Sequence, residues 1–472
     1  MSSLSARALA AHLAAWRSTS PGPAYLALAD RIRLLVLDGR VPLGTRLPAE
    51  RELAAQLELS RTTVSAAYAE LRSAGYLESL RGSGSVARLP GRAPVEPEPL
   101  SGLLDFSVAC PPAVPHVAEA AVRAASLVPL YLGEHGFDPL GLRVVRQAIA
   151  DRYTARGLPT DADQVMITAG AQHAIGLVAR AVLSRGDRIV VESPSYPHAV
   201  EALRSLGGRP VTVPVSTDDG WDDLALEQAF PRTSPTLAYL MPEYHNPTGR
   251  VMPEEQRDRV ARLAEREGTV LIADETTAEL GLDGQAPVPP FAVGRRAVLL
   301  GSAGKSVWGG LRMGWIRADR ELVQRIARLR SAVDLGTPIP TQLLLLELLP
   351  HYEQILVERR SYLRASRDYL AARLAERIPE WSVPRTAGGI ASWVGLGAPL
   401  SSALALAARE EGLAIAAGPR FGIDGVFERF IRIPFTFAPD DLDRAVDALA
   451  TAWDRVRRSP LARAEQEYAQ VV

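Results

Sequence analysis

The stretch Gly301-Ser302-Ala303-Gly304-Lys305-Ser306-Val307-Trp308-Gly309-Gly310-Leu311-Arg312 contains the only lysine of this 472-residue chain. Lysine and arginine together number 53, so the other 52 cations are arginines. Codon bias that spared one lysine would explain this count. A chemical explanation also exists, because arginine stays protonated in proteins, whereas a partly desolvated lysine becomes a free amine that condenses with an aldehyde. The Gly/Ser loop around Lys305 and the arginine seven residues later indicate a lysine that binds pyridoxal 5′-phosphate (PLP).

Further motifs follow strand-like apolar runs in the rest of the chain. Strands predicted at 164–168, 188–192, 210–214, 236–241, 270–274 and 297–300 alternate with helical segments, which indicates an α/β fold. The motifs are Thr168-Ala169-Gly170-Ala171-Gln172, Ser193-Pro194-Ser195-Tyr196, Asn246-Pro247-Thr248-Gly249, the aspartate of Val270-Leu271-Ile272-Ala273-Asp274, and Ile431-Arg432-Ile433-Pro434. In this order they resemble the fold-type I aminotransferases across residues 102–472. The resemblance implies a PLP-dependent domain with a large and a small subdomain.

One end of the expected cofactor site is a phosphate-binding turn. Gly170, Ala171 and Gln172 open a helix after a strand, and the small residues of this motif let backbone N–H groups approach an anion that the helix dipole favours. The resemblance adds Ser302 and Arg312, on either side of Lys305, as further residues that hold the phosphate.

The resemblance also implies roles around the pyridine ring. Tyr196 would stack on the ring, Asn246 would donate to its O3′, and Asp274 would keep its nitrogen protonated, which makes the ring an electron sink. A buried aspartate without a partner is costly, and the sequence offers Asp274 no other partner. Arg432 matches the arginine that binds a substrate carboxylate through two parallel hydrogen bonds. A surface ion pair is the alternative for Arg432.

Two positions depart from the aminotransferase pattern. The tyrosine that usually follows the aspartate by two or three residues is replaced by Thr276 and Thr277. Phe137 stands where relatives commonly have a tyrosine that reaches the phosphate of the other subunit. Both changes are compatible with cofactor binding and argue against efficient transamination, so whether the domain is an enzyme stays open.

The front of the chain forms a separate domain. We predict a domain over 1–89, a semi-rigid proline-rich linker over 90–101, and the aminotransferase-like domain over 102–472. A short helix ending near Leu57 and a longer one over 61–74 have helix-turn-helix spacing.

Local sequence signals agree with this domain. Ser60 is the N-cap candidate of the longer helix. Two strands around Arg81-Gly82-Ser83-Gly84 predict a hairpin wing.

Three motifs carry a resemblance of residues 25–88 to the winged helix of GntR-family transcription regulators. They are the Leu-Pro-Ala-Glu-Arg-Glu-Leu-Ala run, Ser-Arg-Thr-Thr-Val and the Gly-Ser-Gly wing. The resemblance implies that the following residues face double-stranded operator DNA, the last at the wing tip: Arg51, Ser60, Arg61, Thr62, Thr63 and Gly82. A helix N-terminus binds phosphates, and an arginine there can bind guanine. Ser65 replaces an arginine common in the family, which leaves the operator sequence open.

The combination of the two domains resembles the MocR subfamily of GntR regulators. The resemblance implies a PLP-dependent transcription regulator that forms head-to-tail homodimers. Its effector would be PLP itself or an amino compound, detected through a Schiff base at Lys305. Two alternatives remain: an active aminotransferase with an accessory DNA-binding domain, and a constitutive DNA-binding protein in which PLP is only structural.

Charge and composition agree with a cytoplasmic regulator. The chain has a net charge of −1, yet residues 1–90 contain 11 arginines against 7 acidic residues, a balance of +4. Cys110 is the only cysteine, so no internal disulfide can form. We predict no signal peptide and no metal site. We also predict no membrane segment, because no apolar run approaches the ~18 residues that a membrane helix requires.

Overall fold

The computed structural model describes residues 3–13, 23–37, 40–42, 44–80, 84–88, 103–285, 288–423 and 425–458. The predicted linker at 90–101 and the predicted wing-tip residue Gly82 lie outside these ranges. The domain boundaries that depend on this linker therefore stay a prediction.

The front domain is a small helical bundle followed by a two-stranded hairpin. Its elements are α1 (Ala6–Leu13), α2 (Ala24–Leu37), α3 (Glu50–Leu57), α4 (Arg61–Ser73), β1 (Leu77–Leu80) and β2 (Gly84–Ala87). The core contains Leu28 and Ile32 of α2, Leu53 of α3 and Val64 of α4. The hairpin is antiparallel and pairs Leu77 with Ala87. The predicted helix-turn-helix and hairpin are thus present. The sequence predicts the two hairpin strands at 76–79 and 85–88, and each is displaced by one residue in the structure.

The rest of the described chain forms the large and small subdomains. Its strands are β3 (Leu104–Asp105), β4 (Val165–Thr168), β5 (Arg188–Ser193), β6 (Arg209–Ser216), β7 (Gly220–Trp221), β8 (Leu237–Leu240), β9 (Val270–Asp274), β10 (Val298–Ser302), β11 (Gly314–Arg317), β12 (Ala391–Gly395), β13 (Leu413–Ala414), β14 (Ala416–Ala417) and β15 (Phe430–Pro434). Its α-helices are α5 (His116–Leu127), α6 (Arg143–Ala155), α7 (Ala171–Val182), α8 (Pro197–Ser205), α9 (Asp223–Thr233), α10 (Glu254–Glu267), α11 (Arg320–Arg330), α12 (Ile339–Leu348), α13 (Tyr352–Arg377), α14 (Ser401–Glu410) and α15 (Pro439–Arg457).

The large subdomain is built on an eight-stranded sheet with the order β4-β11-β10-β9-β8-β5-β6-β7. Strands β6, β5, β8, β9 and β10 are parallel, and β11 is antiparallel to both β10 and β4. Alternate residues of a strand belong to different hydrophobic cores: Val190 packs in one, and Ile189 and Val191 pack in the other. The sheet is therefore covered on both faces, as expected for buried parallel strands.

This topology determines where the predicted motifs meet. Strands β4, β5, β8, β9 and β10 run in the same direction, so their carboxyl ends share one edge. Thr168, Ser193, Asp274 and Ser302 are the last residues of β4, β5, β9 and β10, and Asn246 lies in the loop that follows β8. In open α/β sheets, ligands bind at this edge.

The small subdomain covers that edge from one side. It has a three-stranded antiparallel sheet, β12-β15-β14, and the helices α13, α14 and α15. The short strand β13 pairs in parallel with β3, which precedes the large subdomain. The six strands predicted from the sequence are present with ends shifted by up to two residues. The short strands β7, β11 and β12 to β15 were not predicted, because an apolar run of two to five residues carries little periodicity.

Candidate functional site

A cavity of about 670 Å³ lies between the carboxyl edge of the large sheet and the small subdomain. All ten residues predicted to bind the cofactor or a carboxylate line it: Gly170, Ala171, Gln172, Tyr196, Asn246, Asp274, Ser302, Lys305, Arg312 and Arg432. They come from six separate motifs, so the tertiary fold brings the motifs together as expected.

Lys305 projects from the loop after β10 into this cavity. Its Nζ donates a hydrogen bond to the carbonyl oxygen of Ala109 at 2.6 Å. Burial lowers the pKa of Lys305, Arg432 and Arg312 lower it further, and Cys110 and Asp274 act in the opposite direction. The free amine that condensation with an aldehyde requires is thereby favoured.

Asp274 ends β9 at the floor of the cavity and is 2% exposed. Tyr239 Oη donates to one carboxylate oxygen at 2.7 Å, and the backbone N–H and hydroxyl of Thr276 donate to the other at 2.9 Å and 2.5 Å. Burial raises the pKa of Asp274, and the hydrogen bonds from Thr276 and Tyr239 lower it. The inference that the protein offers Asp274 no partner is therefore wrong: a strand tyrosine and a turn threonine satisfy it.

The two threonines that replace the usual tyrosine are engaged elsewhere. Thr276 binds Asp274, and the Thr277 hydroxyl donates to the carbonyl oxygen of Glu243 at 3.0 Å. Neither hydroxyl therefore takes over the hydrogen bond of the missing tyrosine within the described part of the chain. The side chain of Phe137, the other departure, is 59% exposed.

At the proposed phosphate end of the cavity, the side chain of Arg312 packs closely against Gly170. Gly170 precedes α7 with a φ of +90°, and a Cβ there would lie 3.3 Å from Arg312 Nη2. Arg312 Nη2 donates to the carbonyl oxygen of Ala169 at 2.8 Å, and the hydroxyl of Ser302 accepts from the N–H of Gly304 at 3.1 Å. A helix N-terminus, a guanidinium and a hydroxyl thus converge where an anion is favoured.

Three cavity-lining residues have a buried polar atom without a hydrogen-bond partner among the described residues. The atoms are Gln172 Oε1, Asn246 Oδ1 and Arg432 Nε. Buried polar groups are normally satisfied, so such atoms in a cavity indicate that a ligand completes them. The amide of Asn246 faces the site of the ring, and the lysine, aspartate and anion pocket complete a donor set that fits PLP.

Arg432 lies on β15 and is 6% exposed. Its guanidinium donates to the carbonyl oxygen of Ser107 and lies over the ring of Phe421, 5.1 Å from the centroid. Burial lowers its pKa to about 10. No acidic side chain of the described residues forms an ion pair with it, so the surface-ion-pair alternative is wrong. A buried, uncompensated guanidinium is suited to an anionic ligand.

The residues predicted to face DNA cluster at the starts of α3 and α4. Ser60 caps α4 by accepting from the N–H of Thr63 at 3.1 Å, and its hydroxyl contacts those of Thr62 and Thr63. Arg51 and Arg61 are exposed and form no ion pair with any described residue. Two uncompensated arginines beside a helix N-terminus form a surface that attracts phosphates. Gly82 lies outside the described residues.

Some residues of the site were not predicted from the sequence. Cys110, Arg409 and Arg420 line the cavity, and Tyr239 lies outside its lining but donates to Asp274. No short motif surrounds them that would have identified them. Across the described ranges, no cluster of potential metal ligands occurs, and no helix is both long and apolar enough to cross a membrane.

Comparison with known proteins agrees with this site. Residues 109–449 match the family model "Aminotransferase class I and II", and residues 24–86 match "Bacterial regulatory proteins, gntR family". The chain belongs to the class I and II aminotransferase family. A GntR domain in front of such a domain is the MocR architecture, so the predicted resemblance is confirmed, together with the fold class and PLP as the family's cofactor.

Individual relatives of this aminotransferase-family chain include both regulators and enzymes. It is 26% identical to the uncharacterized HTH-type transcriptional regulator YisV of Bacillus subtilis over 95% of this chain and 100% of the relative. It is 32% identical to the 2-aminoadipate transaminase of Thermus thermophilus, over 71% and 85% of the respective chains. A similar solved structure is LysN, the α-aminoadipate aminotransferase of T. thermophilus, complexed with N-(5′-phosphopyridoxyl)-L-leucine. It superposes with a TM-score of 0.69 at 29% sequence identity and covers 76% of this chain and 93% of LysN.

Proposed function

We propose that this protein is a cytoplasmic, PLP-dependent transcription regulator that detects PLP or an amino compound through a Schiff base at Lys305. The observation that carries the proposal is the presence, in one chain, of the Lys305 cavity and the exposed arginines beside the capped helix α4. The GntR match at residues 24–86 and the full-length likeness to the uncharacterized HTH-type regulator YisV support a regulatory role.

The residues of the cavity have distinct tasks in this proposal. PLP supplies an aldehyde that condenses with primary amines and a ring that withdraws electrons. Lys305 contributes the amine, Asp274 holds a proton at the ring nitrogen, and Asn246 binds the ring hydroxyl. The phosphate is bound by the start of α7 with Ser302 and Arg312. Tyr196 packs against the ring.

An effector is recognised by its own chemistry. Arg432 would bind the effector's carboxylate, and the effector's amine would lie beside Lys305, where bound PLP would supply an aldehyde. An effector shifts the protein between two arrangements only if it binds them with different affinity. We place the DNA-binding surface at Arg51, Ser60, Arg61, Thr62 and Thr63, and we propose the head-to-tail homodimer as the unit that presents two such surfaces to an operator.

The deciding experiment is DNA binding by the full-length protein with and without PLP. Fluorescence anisotropy on DNA from the region upstream of its own gene should show an affinity that depends on PLP in the wild type. Lys305→Ala should bind DNA with an affinity that PLP no longer changes. An identical PLP response in wild type and Lys305→Ala would overturn the proposal.

An active aminotransferase is the second candidate. It is favoured by the intact set Lys305, Asp274, Asn246 and Arg432 and by the likeness to the 2-aminoadipate transaminase. Phe137 and Thr276 argue against it, because two hydroxyls that would orient the cofactor are missing. Keto-acid production over many turnovers would support this candidate. Cofactor absorption that no amine changes would instead support a purely structural role of PLP.

A further inference from the structure

Helix α14 presents one of its faces to the cavity. The cavity-lining residues of this helix are Ser402, Ala405, Leu406 and Arg409, spaced i, i+3, i+4 and i+7. This is the spacing of a single helical face. The opposite face, with Leu404 and Ala408, is buried in the core of the small subdomain. The helix therefore forms a wall of the binding site as well as part of the core.

Small and apolar side chains continue this wall towards Arg432. Ala414, Ile415, Ala416 and Ala417 line the cavity, and Ala416 is the cross-strand neighbour of Arg432. Alanines leave space that larger side chains would fill. Small and apolar residues thus line the cavity both beside Arg432 and on α14.

Arg409 is the last cavity-lining residue of α14. It is exposed, and no acidic residue in the described part of the chain forms an ion pair with it. Arg420, which also lines the cavity, is paired with Glu201. Arg432 is buried. Arg409 lies in the last turn of α14, where a cation also interacts favourably with the helix dipole. Because Arg409 also lies on the cavity face of α14, its guanidinium is available to an anionic ligand in the cavity.

We propose that the effector is an amino acid with a second acidic group, separated from the amino-bearing carbon by a short hydrocarbon chain. Arg432 binds the carboxylate next to the amine, the chain contacts Leu406 and Ile415, and Arg409 binds the distal acid. This inference rests on the proposed sensing role of Lys305 and names the class of ligand that the site takes.

Isothermal titration calorimetry on the PLP-loaded full-length protein tests this inference. The probes are L-2-aminoadipate and L-glutamate, with L-norleucine and L-norvaline as ligands that lack the distal acid. The acidic pair should bind more tightly than the apolar pair by about two- to fivefold, the range expected for an ion pair with an exposed arginine. Arg409→Ala should remove this preference and leave binding of the apolar pair unchanged. Arg409→Lys should retain part of it.

A matched control separates local from general charge effects. Arg444→Ala removes an exposed arginine of α15 that does not line the cavity, and the preference should persist in it. Equal binding of both ligand pairs, or a preference unaffected by Arg409→Ala, would overturn the inference while the sensing role of Lys305 stood. If no amino acid binds the wild type and Arg432→Ala behaves identically, the inference fails together with the proposed effector site.

Discussion

Tyr239 Oη donates a 2.7 Å hydrogen bond to the carboxylate of Asp274 in the interior of the large subdomain. The register of β8 and β9 pairs Tyr239 with Ile272, so Asp274 lies two positions further along the same face. Tyr239, a residue of the neighbouring strand β8, thus holds the Asp274 carboxylate that we expect to face the cofactor's ring nitrogen. This hydrogen bond stabilises the ionised form of Asp274, which burial disfavours.

Tyr239→Phe should destabilise the protein and raise the pKa of Asp274 further. Loss of a buried hydrogen bond to a carboxylate costs about 1–3 kcal/mol, measurable as a lower free energy of unfolding in urea without PLP. A less readily ionised Asp274 holds the ring nitrogen's proton less well, so PLP affinity should also fall. Tyr131→Phe, whose hydroxyl has no hydrogen-bond partner among the described residues, is the control. Unchanged stability and PLP affinity in Tyr239→Phe would contradict this role.

Lys305→Ala should abolish the visible absorption of covalently bound PLP. Because the chain has one lysine, borohydride reduction of the wild type should attach PLP to a single tryptic peptide containing residue 305. Mass spectrometry checks this. Label found chiefly on the N-terminal amine would show that another group binds the aldehyde.

The rate of PLP attachment should depend on pH in a way that reflects the lowered pKa of Lys305. An ammonium group must lose its proton before it condenses, and burial with the nearby arginines lowers this pKa. The rate should therefore rise with pH and reach its plateau below the pH at which a free lysine side chain does. Stopped-flow absorbance with a lysine-containing peptide as the reference measures the difference. Coincident profiles for protein and peptide would contradict the shift.

Arg61→Ala should weaken specific DNA binding by about 1–3 kcal/mol if this arginine contacts a base edge. Arg51→Ala should weaken binding to all sequences and reduce the salt dependence, as expected for a phosphate contact. Arg33→Ala on α2, where the arginine is paired with Asp30, serves as the control. Wild-type affinity in both Arg61→Ala and Arg51→Ala would place the DNA surface elsewhere.

Transamination should be slow. Ordinary enzymes turn over at about 1–10³ per second, and removal of a single preorganised hydrogen-bond donor commonly costs about 10²–10³ in rate. Here Phe137 cannot donate a hydrogen bond, and the hydroxyls of Thr276 and Thr277 are engaged by Asp274 and the backbone. We expect keto-acid formation well below one per second with any common amino acid. Rates in the ordinary range would instead favour the aminotransferase candidate.

Local sequence determined the elements and the chemistry of individual motifs. Ser60 followed by Arg-Thr-Thr predicts a capped helix, because the capping hydrogen bond spans three residues. The loop around Lys305, the Asn246 motif and Asp274 after an apolar run each carry their signal within a few neighbouring residues. Their order along the chain predicted the fold class, since each motif follows a strand of a layered α/β domain.

Only the tertiary structure decided which distant side chains act on these motifs. Tyr239 reaches Asp274 across two adjacent strands, and Arg409 reaches the cavity on a helix of the small subdomain. Neither has a local signature, because a tyrosine in an apolar strand or an arginine in a helix's last turn is ordinary in sequence. The burial of Arg432 likewise depends on Phe421 and Ser107, which come from other segments. Pairing of strands and docking of the small subdomain create these contacts, and short-range sequence patterns do not encode such long-range packing.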